Sequence, residues 1–331
     1  MSQPPKSVLL PSSPHSRADI RWRQIIWFII STFAITWLIV LPLFFIKDPA
    51  AFQGLYTPVV VVMMFIPAFV AWLIVRKTRP KAHRARSLGF ARHRPLPRLF
   101  GYLALAFLLP ISVGLLSLPI ASALGLYNAD LTHFSGLREA FDEAGLSDMP
   151  IQTIFVTQII NVVLAACFLN LIPALGEETG WRGWLTPQLL PLGIVPTIII
   201  TGIIWGLWHT PVLLLGHNYP QLPGWQSVLF MVIFSTLIGG IFAWLAIRTN
   251  SVWPAALGHS TLNATGGLPL LFSADTTFDT AHVGITGTTG WLVAAVILLV
   301  LIGTRSFKPA PVPSVNPDTA WPSDYSELSN S

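Results

Sequence analysis

The sequence predicts an all-α fold, a polytopic membrane bundle of about eight transmembrane helices, and three observations carry that reading. Of its 331 residues, 53% are hydrophobic and 10% charged, where a soluble domain carries roughly 25% charge; mean hydropathy is +0.65. Eight apolar runs are long enough to cross a hydrocarbon core of about 30 Å. The basic residues fall almost entirely on one side of the resulting path, as cytoplasmic loops of membrane proteins require.

Residues 1–22 are rich in Pro, Ser and Arg and lack apolar periodicity, which predicts a disordered cytosolic leader. The first run, 24–46, exceeds a signal-peptide core and has no small-residue cleavage motif after it, so it is expected to stay as an anchor. Further runs fall at about 55–75, 99–126, 151–175, 195–215, 226–247, 252–271 and 287–304, giving a transmembrane domain over 23–305. The seventh run is interrupted by Pro254, Gly258, His259, Asn263 and Gly266. Such helices are tolerated where protein rather than lipid surrounds them, so this one is expected to face inward. Residues 306–331 turn to Pro, Ser, Asn and Asp and are expected to form a disordered cytosolic tail.

With the leader and the 76–98 loop inside, an eight-helix path puts 17 of the 19 Lys and Arg residues on the cytosolic side, leaving Lys47 and Arg138 outside. The expected setting is the bacterial plasma membrane with both termini cytosolic. Although the pI is near 9.7, the basic residues flank apolar runs. Topology and attraction to anionic lipid account for them, and no nucleic-acid partner is expected. The one cysteine, Cys167, excludes an intramolecular disulfide and a Cys-based metal site.

Between Asp148 and Arg248 the only charged residues are Glu177, Glu178 and Arg182. Ionisable groups at membrane depth cost about 2.5–3.5 kcal/mol each on insertion scales and are functional candidates by default. On a helix the two glutamates point about 100° apart, whereas Glu178 and Arg182 share a face with the acid first, the favourable order for an ion pair. Glu178 and Arg182 would then order the site and leave Glu177 as a general base; alternatively all three form one buried network that fixes helix packing. The next run holds His209 four residues after Trp205, and the interrupted run places His259 and Asn263 one turn apart. A solitary buried His is as readily a core residue bonded to a carbonyl. Two of them with a Glu and an Asn on three helices resemble a hydrolase set of base, proton carrier and oxyanion donors. For His209 to reach the depth of Glu177, the fourth helix is expected to continue past Arg182, with Trp181 and Trp184 near the interface, Pro187 at the helix end and a cavity open to the cytosol.

Glu177-Glu178-x-x-x-Arg182, an aromatic-x-x-x-His at Trp205 to His209, and His-x-x-x-Asn at His259 to Asn263 resemble the three motifs of the CPBP family of CAAX prenyl protease 2-like intramembrane proteases and bacteriocin-processing or immunity proteins. The first and third motifs match in order and spacing. In the second, Trp205 stands where the family usually has Phe, keeping an aromatic pocket wall in a narrower form. The matched core is about 151–270. The resemblance implies that Glu177 activates water for attack on a peptide carbonyl with His209 assisting, that His259 and Asn263 stabilise the oxyanion, and that Glu178 and Arg182 order the site. It implies a membrane-associated peptide or protein as substrate. No cofactor is expected, because a Glu-activated water needs no metal and no H-E-x-x-H helix is present; the zinc alternative would use Glu177, His209 and His259. Two other functions fit intramembrane polar residues, a non-enzymatic immunity or partner protein and a proton-coupled transporter. The polar residues crowd into one part of the chain, whereas many transporters have two related halves.

Overall fold

The computed structural model describes residues 20–90, 96–146 and 148–308. Most of the expected leader and tail lies outside them. The described margins pack rather than trail: Ile20 and Phe307 are buried, and Arg248 donates to the Lys308 carbonyl. Among the described residues the chain forms no strand, and its β contacts are isolated bridges at Phe90–Ser251 and Ala129–Ser273.

All eight apolar runs are helical. The first is α1 (Trp22–Val40), extended by a 3-10 turn at Leu41–Phe45. Asp48 then caps α2 (Pro49–Met64), accepting from Ala51 N at 2.7 Å, with Pro49 where a missing N–H costs nothing. A break at Phe65 before Pro67 separates α2 from α3 (Ile66–Thr78). The basic loop holds the short α4 (Arg84–Ser87) and leads to α5 (Leu96–Ala123); α6 (Ser135–Glu143) lies in the loop before the fourth run. That run is α7 (Ile151–Leu164), a wide π-type turn (Ala165–Leu169), α8 (Leu171–Glu178), a second wide turn (Thr179–Leu185) and α9 (Thr186–Leu189), closing at Gly193 with φ +98°. The remainder comprises α10 (Ile194–Trp208), α11 (Thr210–Leu214), α12 (Gly224–Thr249), α13 (Trp253–Ala264), α14 (Leu268–Leu271) and α15 (Thr288–Gly303).

Among the described residues, five helical stretches are long and apolar enough to cross a membrane: Trp22–Phe45, Pro49–Thr78, Pro97–Ala123, Ile151–Leu169 and Gly224–Thr249; Ile194–Trp208 and Thr288–Gly303 are apolar but shorter. Their outward faces carry exposed Trp27, Ile30, Phe100 and Leu299, the surface a lipid-facing bundle presents. The seventh run, α13, differs as its interrupted pattern predicts. Ala255, Ala256, Gly258, His259, Ser260 and Thr261 are all buried, and it packs against α5, α8 and α12. Ser260 Oγ donates to the Ala166 carbonyl at 2.6 Å, tying α13 to the first wide turn.

Glycines set the closest approaches, because lipid gives no hydrophobic drive for helices to associate and small residues let backbones pack instead. A Cβ at Gly202 or Gly206 of α10 would meet the Thr236 or Val232 backbone of α12. Gly176 and Gly180 likewise abut the α2–α3 break at Met64, Phe65 and Pro67. The site-bearing segment is thereby held close against α2 and α3.

One local expectation is corrected. The fourth helical segment does continue past Arg182, but Pro187 does not end it. The preceding wide turn already departs from α-helical pairing, and Pro187 occupies the first turn of α9, where its missing N–H is tolerated. Trp181 and Trp184 are buried, and Phe28 of α1 covers both, with ring centroids at 5.5 and 4.7 Å.

Candidate active site

Glu177 and Glu178 end α8, and the wide turn that follows carries Arg182. Such π-type insertions in helices often mark functional sites. All three side chains are buried, at 2%, 0% and 3% exposure. Charges so enclosed need partners. Arg182 Nη1 donates to Glu178 Oε1 at 2.7 Å, and His259 Nδ1 lies 2.9 Å from the same oxygen. One carboxylate thus links the site helix to α13.

Glu177 is held differently. Its Oε2 accepts from Trp205 Nε1 at 2.8 Å and from Trp181 Nε1 at 3.3 Å, while Oε1 takes no hydrogen bond from the described residues. The division expected from helix geometry, with Glu178 paired to Arg182 and Glu177 apart from it, is the division observed.

Trp205 occupies the middle of the cluster. The Arg182 guanidinium carbon lies 4.3 Å from its ring centroid, a cation–π distance. The His259 ring meets it edge-on at 5.3 Å and His209 sits at 5.8 Å. His209, half-buried at the end of α10, approaches the Trp205 carbonyl with Nδ1 at 2.8 Å. As donor, that nitrogen fixes the neutral tautomer that leaves Nε2 bare as an acceptor. The end of α10 is anchored to α1, where Trp208 Nε1 donates to Thr36 Oγ1 at 2.9 Å and Trp37 Nε1 to the Trp208 carbonyl at 3.3 Å.

The structure therefore gathers Glu177, Glu178, Arg182, Trp205 and His259 into direct contact, with His209 against Trp205. Asn263 stands one turn beyond His259, exposed and without a side-chain hydrogen bond among the described residues. Three contributors were not anticipated as site residues. Phe242 of α12 stacks on His259 at 5.9 Å and 20°, and lies 5.6 Å from the guanidinium; as one of 20 phenylalanines it carried no signal. Gly239 of α12 lies against Arg182: a Cβ there would fall 2.6 Å from Nη2. The Gly239–Gly240 pair inside an apolar run was a visible cue. Trp181 was expected only to lie near the interface, and it donates to Glu177 Oε2.

Zinc was tested against this donor set. No group of three or more His, Cys, Asp or Glu side chains among the described residues is placed to hold a metal ion. His259 Nδ1 lies 2.9 Å from Glu178 Oε1 and His209 Nδ1 2.8 Å from the Trp205 carbonyl, while Glu177 takes its two indole bonds at Oε2.

Residues 159–265 match the family described as type II CAAX prenyl endopeptidase, Rce1-like, a segment that contains all three motifs. Over 283 residues the chain is 24% identical to CAAX prenyl protease 2 of Methanococcus maripaludis, covering 82% of this chain and 92% of that protein. The glutamates, both histidines and the aromatic residue of the motifs assemble at one centre, and the similarity to a CAAX prenyl protease extends through most of the chain, so the protein resembles the Rce1-like CAAX endopeptidases.

Proposed function

We propose that this integral membrane protein hydrolyses a peptide bond in a membrane-associated peptide or protein by means of a water activated by Glu177. The observation that carries this reading is the setting of the buried Glu177 carboxylate, with Oε2 tied to two indoles and Oε1 without a hydrogen-bond partner among the described residues, against a Trp205 ring that both imidazoles also meet. Glu177 Oε1 takes a proton from water as the water oxygen bonds to the scissile carbonyl carbon. The carbonyl π electrons move to oxygen. The bare Nε2 of His209 accepts the second water hydrogen bond and orients the nucleophile.

The developing oxyanion needs donors. In its imidazolium form His259 donates through both nitrogens, Nδ1 to Glu178 and Nε2 to the oxyanion, with Asn263 from the next turn as a second donor. Two carboxylates, one guanidinium and one imidazolium then sum to zero charge, which suits a site closed off from water. On collapse the C–N bond breaks and Glu177 returns its proton to the leaving nitrogen. No metal is required by this sequence of steps. Prenylated CAAX tails are the substrate class suggested by the relative's name. The protein is placed in the bacterial plasma membrane with both termini and the basic 76–98 loop cytosolic, and the site open to that side.

The test is cleavage of quenched prenyl-peptide and membrane-peptide substrates by the full-length protein in liposomes, wild type against Glu177→Ala, with and without chelator. Loss in the variant and indifference to chelator are expected; loss in both would point to a metal enzyme. If Glu177→Ala accumulates normally and leaves the cellular phenotype unchanged, the role is that of a non-enzymatic membrane partner.

A further inference from the structure

We infer that Trp205 is a positioning residue for Glu177: its indole N–H, together with that of Trp181, pins Oε2 and so presents Oε1 to the reacting water. The inference rests on the reading of Glu177 as the base and goes beyond it, because Trp205 was expected to do no more than wall a pocket, and the Phe usual at this motif position has no N–H to give.

The geometry argues for a fixed donor. The 2.8 Å bond from Trp205 and the 3.3 Å bond from Trp181 converge on one oxygen from two helical segments, α10 and the wide turn after α8. An indole is a donor with no acceptor capacity, so neither contact can reverse. Trp205 is itself 2% exposed, faced by the Arg182 guanidinium at 4.3 Å and met edge-on by His259 at 5.3 Å. On the α12 side, its ring carbon Cε3 lies 3.6 Å from where a Gly239 Cβ would stand. A ring enclosed on these sides holds one rotamer. Trp181, 1% exposed, is likewise fixed by Phe28 and by Trp208, whose centroid lies at 5.7 Å. A carboxylate with one oxygen doubly tethered is left free neither to rotate about its terminal bond nor to exchange which oxygen faces the substrate. Pre-set orientation of a reacting group is a recognised source of rate.

Trp205→Phe deletes the N–H and keeps an aromatic face; Trp181→Phe removes the longer of the two bonds. Both are compared with wild type and Glu177→Ala in full-length protein in liposomes, by steady-state cleavage and by infrared difference spectroscopy of the carboxylate stretch. The Glu177 band is identified by its disappearance in Glu177→Gln. Expected for Trp205→Phe are a kcat reduced roughly tenfold with KM within about twofold and a displaced Glu177 band, with smaller changes of the same kind for Trp181→Phe. Wild-type kcat and an unmoved band in Trp205→Phe would overturn the inference, while an inactive Glu177→Ala would leave the endopeptidase reading standing. Conversely, an active Glu177→Ala would remove that reading, and with it Trp205's part in the reaction. Should Trp205→Phe fail to accumulate, Trp181→Phe decides by the same two readouts, and an unmoved band there overturns the inference.

Discussion

Alanine at Gly239 is expected to disable the site without altering any group that reacts. Its Cβ would stand 2.6 Å from Arg182 Nη2, where ordinary contact begins at 3.4 Å, so the guanidinium must retreat by roughly 0.8 Å. Arg182 has little room to do so. Nη1 is bonded to Glu178 Oε1 at 2.7 Å, the head lies over Trp205 at 4.3 Å, and the residue is 3% exposed. A retreat of that size along the ion pair stretches it to about 3.5 Å, outside hydrogen-bond range. Complete loss of a buried partner costs about 3–5 kcal/mol; for a loosened pair we expect about 1–3 kcal/mol. The same displacement disturbs Glu178, which also holds His259, and misplacement on that scale can cost about 10²-fold in rate. The assays are thermal unfolding in detergent and liposome cleavage. Gly54→Ala serves as control, since a Cβ there meets no atom within 4 Å. If Gly239→Ala melts and cleaves as Gly54→Ala does, the assignment of Gly239 as the seat for Arg182 is wrong.

Gly202→Ala and Gly206→Ala should be more damaging to stability, because their new methyls meet the α12 backbone at Thr236 and Val232 rather than a side-chain tip; a loss of about 2–4 kcal/mol would appear as a lower melting temperature, and an unchanged one would refute the packing argument. Glu178→Gln leaves Arg182 uncompensated and should cost about 3 kcal/mol. Adding Arg182→Met should recover part of the melting temperature but none of the cleavage rate, and recovery of both would make the pair merely structural. Outside the membrane, Asp130 is held well below the usual carboxylate range, chiefly by the Ser135 hydroxyl and then by the His133, Thr132 and Ser135 backbone N–H groups. A folded pKa below the unfolded one favours the fold above the unfolded value, and that contribution is lost as pH falls through the folded value. Hydrogen exchange in α6 should therefore stay slow from neutral pH down to about 4 and accelerate only below it. Asp130→Ala should show fast exchange in α6 at every pH, and slow exchange there would sink the argument.

The sequence by itself determined that the chain is helical and where its apolar runs lie, and it singled out the polar residues inside them. Apolar runs of spanning length admit little else in lipid, and the four-residue spacing of Glu178 and Arg182 forces their pairing on any helix. It also marked the seventh run as internal, through the prolines, glycines and polar groups that lipid would not accept. What it left undecided was which faces meet. In a soluble protein an apolar stripe names the buried side, but here lipid-facing and core-facing positions are equally apolar, so the stripe vanishes. Burial of Trp181 and Trp184 under Phe28, the stacking of Phe242 on His259, and the turn of the Trp205 indole toward Glu177 rather than lipid all depend on how α1, α10 and α12 are rotated about their axes. The setting of α10 and the Arg182 segment against α12 is fixed by close approaches at Gly202, Gly206 and Gly239, contacts between segments far apart in the chain. Only the tertiary structure could decide them.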